Sequence, residues 1–312
     1  MRLSILLLLV CSAASAQPSA LDPTFATSGI GTYALGEATD AALLPDGRIL
    51  VAGNFNRNWS IARLTADGQP DATFGTDGRV VRDFDGGDDF SPRVRLLPGG
   101  RFLVAGTAQV LANGLRVNRI GVSRYLPDGT LDTAYGTGGT TIVADPAVTL
   151  PEAIHTGMTL DASGRLLLTG FSATTGYLVA RLTADGQPDA TFGTNGIAAL
   201  PYTGFASVPE ALENGQILVG GRTMQSRDTR LVRLSASGTV DATFGTAGEA
   251  VYNLGGGEEI EAVEELADGR ILITARLDSG GGGNWGTARV SATGALDPTY
   301  GDGGVRTIRF NT

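Results

Sequence analysis

The stretch Leu43-Leu44-Pro45-Asp46-Gly47-Arg48-Ile49-Leu50-Val51-Ala52-Gly53 is one of five similar copies in the chain. The other copies begin at Leu96, Leu160, Leu212 and Leu266. Each copy contains the end of one strand, a tight turn of the Pro-Asp-Gly type and a short apolar strand, which is the pattern of a β-hairpin. The sequence therefore predicts an array of β-hairpins.

A second motif, which we call the anchor, recurs between the hairpins. It consists of an aspartate, two further residues, Phe or Tyr, and in most copies a glycine. The anchors begin at Asp22, Asp71, Asp132, Asp189, Asp241 and Asp297. They lie about 55 residues apart, and a period of this size indicates one supersecondary unit per repeat.

Each repeat is long enough for four strands, which we call a, b, c and d in sequence order. Strand c, as in Ile49-Leu50-Val51-Ala52, shows no polar alternation, so both of its faces must be covered. Blades stacked around an axis cover both faces, and the sequence thus predicts an all-β fold, a β-propeller of five four-stranded antiparallel blades. The predicted units are residues 29–68, 78–129, 138–186, 196–238 and 248–294. An extra strand at 304–310 either closes the ring or is a fifth strand.

The repeated wording, LxPDGrilvaG followed by aRltaDGxxDxtFGtxG, resembles the delta-60 repeat family of bacterial β-propellers, whose function is unknown. The resemblance covers residues 21–310. It implies a propeller in a secreted or surface setting. It implies no reaction, substrate or catalytic residue.

The first residues predict a secretory signal peptide over residues 1–16, which leaves residues 17–312 as a single domain. Arg2 is followed by the apolar run 5–10, and small residues precede Gln17. A lipid anchor at Cys11 is the second interpretation. It ranks below the signal peptide because the lipid-attachment pattern needs a small residue before the cysteine, and this chain has Val10 there. Cys11 is the only cysteine, so disulfides, thiol nucleophiles and zinc-thiolate sites are excluded from the cleaved chain. We expect a secreted, surface-associated or periplasmic bacterial protein.

The charge excludes several classes of partner. The 23 basic residues are all arginine, and 32 acidic residues bring the net charge to −9. Such a chain repels nucleic acid and anionic membrane surfaces. We expect no nucleic-acid partner, no transmembrane segment and a monomer whose partner is an extracellular glycan or protein.

The repeated charges have a structural interpretation. Each anchor aspartate is expected to hold a turn while the aromatic residue inserts between neighbouring sheets. One arginine recurs in each strand d, at Arg63, Arg124, Arg181, Arg233 and Arg289. A buried charge needs a partner, so we expect each arginine to pair with an anchor aspartate or a carbonyl of the next blade.

The a-b and c-d loops vary between repeats and share one end of the propeller, which makes that end the natural place for a site. The candidate binding residues there are Arg57, Trp59, Glu258, Glu259, Asn284 and Trp285. The acidic run Asp83, Asp85, Asp88 and Asp89 is a speculative Ca²⁺ site, and its alternative is a solvated glycine-rich turn. No other cofactor is expected.

The sequence predicts no catalytic residue. His155 is the only histidine, and no nucleophile elbow accompanies it. The first hypothesis is therefore a non-enzymatic binding or structural module for an extracellular glycan or protein. The alternatives are a glycoside-directed hydrolase or lyase and a Ca²⁺-stabilised scaffold. Two carboxylates in one concave pocket, one of them with a raised pKa, would favour the enzyme.

Overall fold

The computed structural model describes residues 21–27, 29–33, 36–143, 154–172, 176–279 and 282–309. For 154–156, 172, 278–279 and 282–283 the description is limited to the backbone. The strands form five four-stranded antiparallel sheets, and the chain has the predicted fold, a five-bladed β-propeller. In the described ranges, no helix has the length and apolarity needed to cross a membrane.

We number the sheets as blades 1 to 5. Blade 1 contains β1 (Glu37–Leu43), β2 (Ile49–Phe55), β3 (Asn58–Leu64) and β4 (Arg79–Arg82). Blade 2 contains β5 (Phe90–Leu96), β6 (Phe102–Ala112), β7 (Leu115–Tyr125) and β8 (Thr140–Val143). Blade 3 contains β9 (Ile154–Leu160), β10 (Leu166–Ser172), β11 (Gly176–Leu182) and β12 (Ile197–Leu200). Blade 4 contains β13 (Gly204–Ala211), β14 (Ile217–Thr223), β15 (Thr229–Leu234) and β16 (Glu249–Tyr252). Blade 5 contains β17 (Gly257–Glu265), β18 (Ile271–Ser279), β19 (Gly282–Val290) and β20 (Val305–Ile308). A short 3-10 turn, Pro98–Gly100, connects β5 and β6.

The grouping of strands into blades differs from the predicted units by one strand. The strand that follows each anchor pairs with the strand d before it, as Val80 of β4 does with Ile61 of β3. The anchor loop folds back because the Asp71 N–H donates to the Arg63 carbonyl and the Arg63 N–H donates to the Gly78 carbonyl. The predicted extra strand is thus β20, the fourth strand of blade 5, and it neither closes the ring nor adds a fifth strand.

The first strand of each blade lies nearest the axis. Neighbouring first strands pack on one another from β1 to β17. Each of them carries a β-bulge at the same place, next to Thr39, Ser91, Thr156, Ser207 or Glu261. A bulge bends a strand and redirects its side chains, and bulges are frequent beside functional sites.

The core lies between blades. Leu166 and Leu168 of β10 pack in a cluster with blade 2, whereas Leu167 packs in the cluster shared with blade 4. All three side chains are at most 1% exposed. The apolar strand c is therefore covered on both faces, as predicted.

A repeated joint connects each of blades 1 to 4 to the next blade. Its charged part is the predicted pair, since Arg181 Nε donates to Asp189 Oδ2 at 2.7 Å and Arg124 Nε to Asp132 Oδ2 at 2.8 Å. The same arginine also donates from Nη1 to a carbonyl of the next blade, as Arg181 does to Ala236 at 2.6 Å. Both predicted partners of the arginine are confirmed.

The joint also holds one turn of the next blade, the turn that directly follows the third strand of that blade. We call it the outer turn. The glycine N–H of each anchor donates to this turn, as Gly136 does to the Asp185 carbonyl at 2.8 Å. The anchor aromatic presses on the turn glycine, so that a Cβ at Gly186 would lie 2.7 Å from the Tyr135 ring. The predicted insertion of the aromatic residues between blades is confirmed.

Candidate functional site

A cavity of about 300 Å³ lies at the axis, lined by the first strands of blades 2 to 5 and by the end of β14. It opens at the end of the propeller that carries the a-b and c-d loops, because its residues lie near the starts of the first strands. The residues that carry the argument are Arg93, Phe205, Ser207, Arg222, Glu259 and Glu261. The predicted end of the propeller therefore contains the candidate site.

The bulges explain why polar residues line this cavity. Ser207 and Glu261 are the extra residues of the bulges in β13 and β17, and Ser91 belongs to the wider bulge in β5. All three line the cavity. The bulged carbonyls are held from the preceding blade, since the Thr169 hydroxyl donates to the Ser207 carbonyl at 3.1 Å. The inner wall is thus a fixed framework.

One wall is basic and aromatic. The Arg222 guanidinium lies 4.9 Å from the centre of the Phe205 ring, which packs on Phe171 at 4.6 Å between ring centres. Within the described ranges, neither Arg93 nor Arg222 has an acidic partner. Arg95 differs, because its Nη1 donates to Asp40 at 3.0 Å. Two guanidinium groups therefore face the cavity with donors available to a ligand.

The lining contributed by blade 5 is acidic. Glu259 and Glu261 both lie on β17 and both contact the guanidinium of Arg276. Arg276 Nη2 contacts Glu259 directly, and Arg276 Nε lies 3.8 Å from Glu261. Predicted residue Glu259 therefore lines the cavity as one of two carboxylates that share a cation.

Two carboxyl groups with a raised pKa lie away from this lining. Burial raises the pKa of Asp89 to about 6, although the Gln109 and Phe84 N–H groups donate to it. Burial also raises the pKa of Glu258, which accepts from the Thr229 N–H at 2.6 Å. Their side chains are at most 1% exposed, so Glu258 is not available to a ligand and Asp89 is not available to an ion. Both carboxylates close loops between strands.

The other predicted Ca²⁺ ligands have separate roles. Asp83 accepts from the Gly86 N–H at 2.8 Å, Asp85 accepts from the Leu111 N–H at 3.2 Å, and Asp88 pairs with Arg57 at 2.6 Å. In the described part of the chain, no group of three or more His, Cys, Asp or Glu residues could hold a metal ion. The geometry favours the turn interpretation, and the Ca²⁺ site stays a prediction.

The two predicted tryptophans lie in different surroundings. Trp59 is 0% exposed, and its Nε1 donates to the Thr107 carbonyl of blade 2 at 3.1 Å, so it is a core residue and not a surface platform. Trp285 is half-buried on β19, beside the backbone of Asn284. Arg57 is an exposed partner of Asp88. None of these four residues lines the axial cavity.

Arg93, Phe205 and Arg222 were not predicted from the sequence. These residues lie in strands, whereas the predicted site was placed in the loops. The sequence does contain one indication of Arg222. The residue type at the position after the last small residue of strand c changes from repeat to repeat. The position is occupied by Asn54, Thr107, Phe171, Arg222 and Arg276. His155 lies in β9, and its side chain is outside the described part of the chain.

Solved structures with this fold come from several bacteria. A protein of unknown function from Dyadobacter fermentans matches with a TM-score of 0.56 at 12% identity, over 89% of this chain and 83% of that chain. A protein from Lactobacillus plantarum matches with a TM-score of 0.51 at 13% identity, over 83% and 69%. A putative exo-β-1,3-galactanase from Bifidobacterium bifidum matches with a TM-score of 0.45 at 13% identity, over 89% and 93%. At these identities the similarity concerns the fold alone.

No curated protein sequence matches the chain. A family match extends over all five repeats, at residues 44–74, 97–135, 162–192, 212–244 and 266–300. It confirms the resemblance that the repeated motifs indicated. The chain belongs to the family described as domain of unknown function (DUF5122) beta-propeller.

Proposed function

We propose that this propeller is a secreted, non-enzymatic binding module that holds an acidic carbohydrate in its axial cavity. The observation that carries the proposal is the pair Arg93 and Arg222. Both line the cavity and have no acidic partner in the described part of the chain, and Arg222 packs on Phe205. The predicted signal peptide supports an extracellular setting.

The lining matches the groups of a uronic acid. A guanidinium binds a carboxylate through two parallel hydrogen bonds, which suits Arg93 and Arg222. An aromatic face such as that of Phe205 packs against the apolar side of a sugar ring. The hydroxyl of Ser207 and the carboxylates of Glu259 and Glu261 are hydrogen-bond partners for sugar hydroxyls. A volume of about 300 Å³ suits one or two sugar rings.

The arrangement of carboxylates favours binding over hydrolysis. A glycosidase needs a general acid that is still protonated near neutral pH, together with a second carboxylate across the scissile bond. The carboxyl groups with raised pKa, Asp89 and Glu258, are buried outside the cavity. Glu259 and Glu261 lie on one strand and share Arg276. No specific observation favours the hydrolase or lyase alternative.

Isothermal titration with an oligogalacturonide tests the proposal, with a neutral galacto-oligosaccharide of equal length as the comparison. We expect the acidic oligosaccharide to bind and the neutral one to bind at least tenfold more weakly. Arg93→Ala and Arg222→Ala should each weaken binding of the acidic oligosaccharide about tenfold or more, because each removes a charge-assisted contact worth about 1.5 to 3 kcal/mol.

Arg57→Ala is the matched control, since Arg57 is an exposed arginine outside the cavity and its loss should not change the affinity. Chromatography of the recovered oligosaccharide should show no cleavage. Equal binding of the acidic and neutral oligosaccharides would contradict the acidic ligand, and accumulation of shorter products would establish the enzyme alternative.

A further inference from the structure

The joint of blade 5 lacks the partner that the other four joints have. In blades 1 to 4, the strand d arginine donates from Nη1 to a carbonyl of the next outer turn, and the anchor glycine N–H donates to the following carbonyl. Blade 5 has the same groups in Arg289 and Gly301, and Arg289 Nε pairs with Asp297 at 2.8 Å. Within the described ranges, neither Arg289 Nη1 nor the Gly301 N–H has an acceptor.

Two aromatic side chains of blade 5 are less buried than their counterparts in the other blades. The anchor rings of blades 1 to 4 are at most 1% exposed, whereas Tyr300 is only partly buried. Trp285 lies four residues before Arg289, as Trp59 lies four residues before Arg63. Trp59 is buried against blade 2, whereas Trp285 is only partly buried. The described strands that pack on blade 5 all belong to blade 4.

The outer turn of blade 1, residues 65–68, is the matching acceptor, and the N-terminal anchor covers it. A Cβ at Gly68 would lie 2.7 Å from the Phe25 ring, and the Ala26 N–H donates to the Asp67 carbonyl at 2.7 Å. This cover is incomplete in the described chain, where no arginine donates to the Ala66 carbonyl as Arg63 does to the Pro127 carbonyl. The described chain therefore contains six anchors and five outer turns.

The back face of blade 1 also has room for a partner. A cavity of about 380 Å³ lies between this face and the N-terminal segment, lined by Phe25, Val51 and Ala62 among others. Ser60 lines it too, and its hydroxyl is 2% exposed without a hydrogen-bond partner in the described chain. A buried hydroxyl without a partner is costly, and a group from outside can satisfy it.

The described residues do not fill the fifth joint. Although the joint is repeated four times, no hydrophobic cluster among the described residues contains side chains of both blade 5 and blade 1. No strand of blade 5 packs closely on a strand of blade 1. We propose that the free face of blade 5 docks on the outer turn of blade 1 in a second copy of this chain, where Tyr300 and Arg289 displace the N-terminal anchor.

This interface is head-to-tail, so the surfaces of the two partners are different. A contact of this type leaves one free face at each end of a pair and can add further copies. The anchor of blade 5 supplies an arginine that no described residue supplies to the N-terminal anchor, which favours the exchange. The expected assembly differs from the monomer that the sequence indicated, and it does not depend on the ligand proposed for the axial cavity.

Light scattering after size-exclusion chromatography, over a hundredfold range of protein concentration, measures the self-association. We expect the mass of residues 17–312 to rise with concentration. Tyr300→Ala and Arg289→Ala should each weaken association at least tenfold, whereas Phe25→Ala should strengthen it by exposing the turn. Arg93→Ala is the control, because it alters the axial cavity alone. A constant monomer mass for both the natural chain and Phe25→Ala would overturn the proposal.

Cysteine crosslinking identifies the contact, since the chain without its signal peptide has no cysteine. One protein carries Asp67→Cys and a second, tagged protein carries Asp302→Cys. Oxidation of the mixture should give the mixed dimer. A Thr76→Cys, Asp128→Cys variant provides the internal-joint control. If the double variant Asp67→Cys, Asp302→Cys is crosslinked only within one molecule, the fifth joint closes the ring and docking of a second copy is wrong.

Discussion

The pair of Arg181 and Asp189 is the most deeply buried charged contact in the joints, with side chains 2% and 8% exposed. Burial opposes ionisation of Asp189, but donors from Thr191 and Arg181 outweigh this effect and lower its pKa. Removal of Arg181 alone would leave a buried carboxylate whose remaining cation, Arg165, lies 3.4 Å away. A single side chain can therefore decide whether blades 3 and 4 remain joined.

Arg181→Met tests this contact. We expect it to reduce the free energy of unfolding by roughly 3 to 5 kcal/mol, because one partner of a buried pair is lost. Arg289→Met is the matched control, since Arg289 has the same aspartate contact but a side chain that is 19% exposed. Its cost should be about 1 kcal/mol or less. Urea unfolding of both variants measures the difference, and equal losses would refute the role of burial.

The buried carboxyl group of Asp89 predicts a pH dependence. Its pKa in the folded state is raised from 3.8 to about 6, so the folded protein retains a proton that the unfolded chain releases. The contribution of Asp89 to stability is therefore complete below about pH 4 and is lost as the pH rises through about 6. A shift of this size corresponds to about 3 kcal/mol.

Asp89→Asn removes this titration. Between pH 4 and pH 7, we expect the natural protein to lose about 2 to 2.5 kcal/mol of stability relative to the variant. Urea unfolding at several pH values measures the difference, in which most other groups cancel. Asp88→Asn is the control, because its side chain is 47% exposed. Parallel stability curves for Asp89→Asn and the natural protein would exclude Asp89 as the titrating group.

The outer turns and the hairpin turns have similar sequences, but their glycines differ in how closely other residues pack on them. Gly186 of an outer turn has φ +85° and lies under the Tyr135 ring, whereas Gly164 of a hairpin turn has φ +75° and nothing within 4 Å of its Cβ position. Both need the left-handed region, which costs an alanine about 1 kcal/mol. Gly186→Ala must also displace the ring, which adds roughly 1 to 3 kcal/mol.

Thermal and urea unfolding of Gly186→Ala and Gly164→Ala compare the two turns directly. We expect a loss of about 1 kcal/mol for Gly164→Ala and of about 2 to 4 kcal/mol for Gly186→Ala. Similar losses would mean that the aromatic residue of the anchor moves aside at little cost, and the outer turn would then be an ordinary turn.

The strands could be predicted from the sequence, but their grouping into blades could not. Strand β4 is short and half-buried, and its pattern suits pairing with β3 as well as with β5. The choice depends on two backbone hydrogen bonds that fold the anchor loop back on Arg63. Backbone contacts of this kind do not affect the pattern of polar and apolar side chains, so the sequence does not indicate them.

Repetition explains what else the sequence could show. The pairing of Arg63 with Asp71 was predictable because the same two residues recur in all five repeats, and a recurring charge in an apolar strand needs a recurring partner. Trp59 and Trp285 occupy the same position in their repeats, yet Trp59 is in the core and Trp285 is only partly buried. Only the neighbouring blade distinguishes them. The axial cavity was not predictable for a related reason, since Arg93 and Arg222 meet there from different blades.

The joints have a direction, because each of blades 1 to 4 places its anchor on an outer turn of the blade that follows it. All four internal joints use the same pair of surfaces, although the residues between them differ. Duplication or deletion of one whole repeat in the gene would therefore preserve every type of contact between blades. The number of repeats is the feature of this architecture that evolution can change most easily.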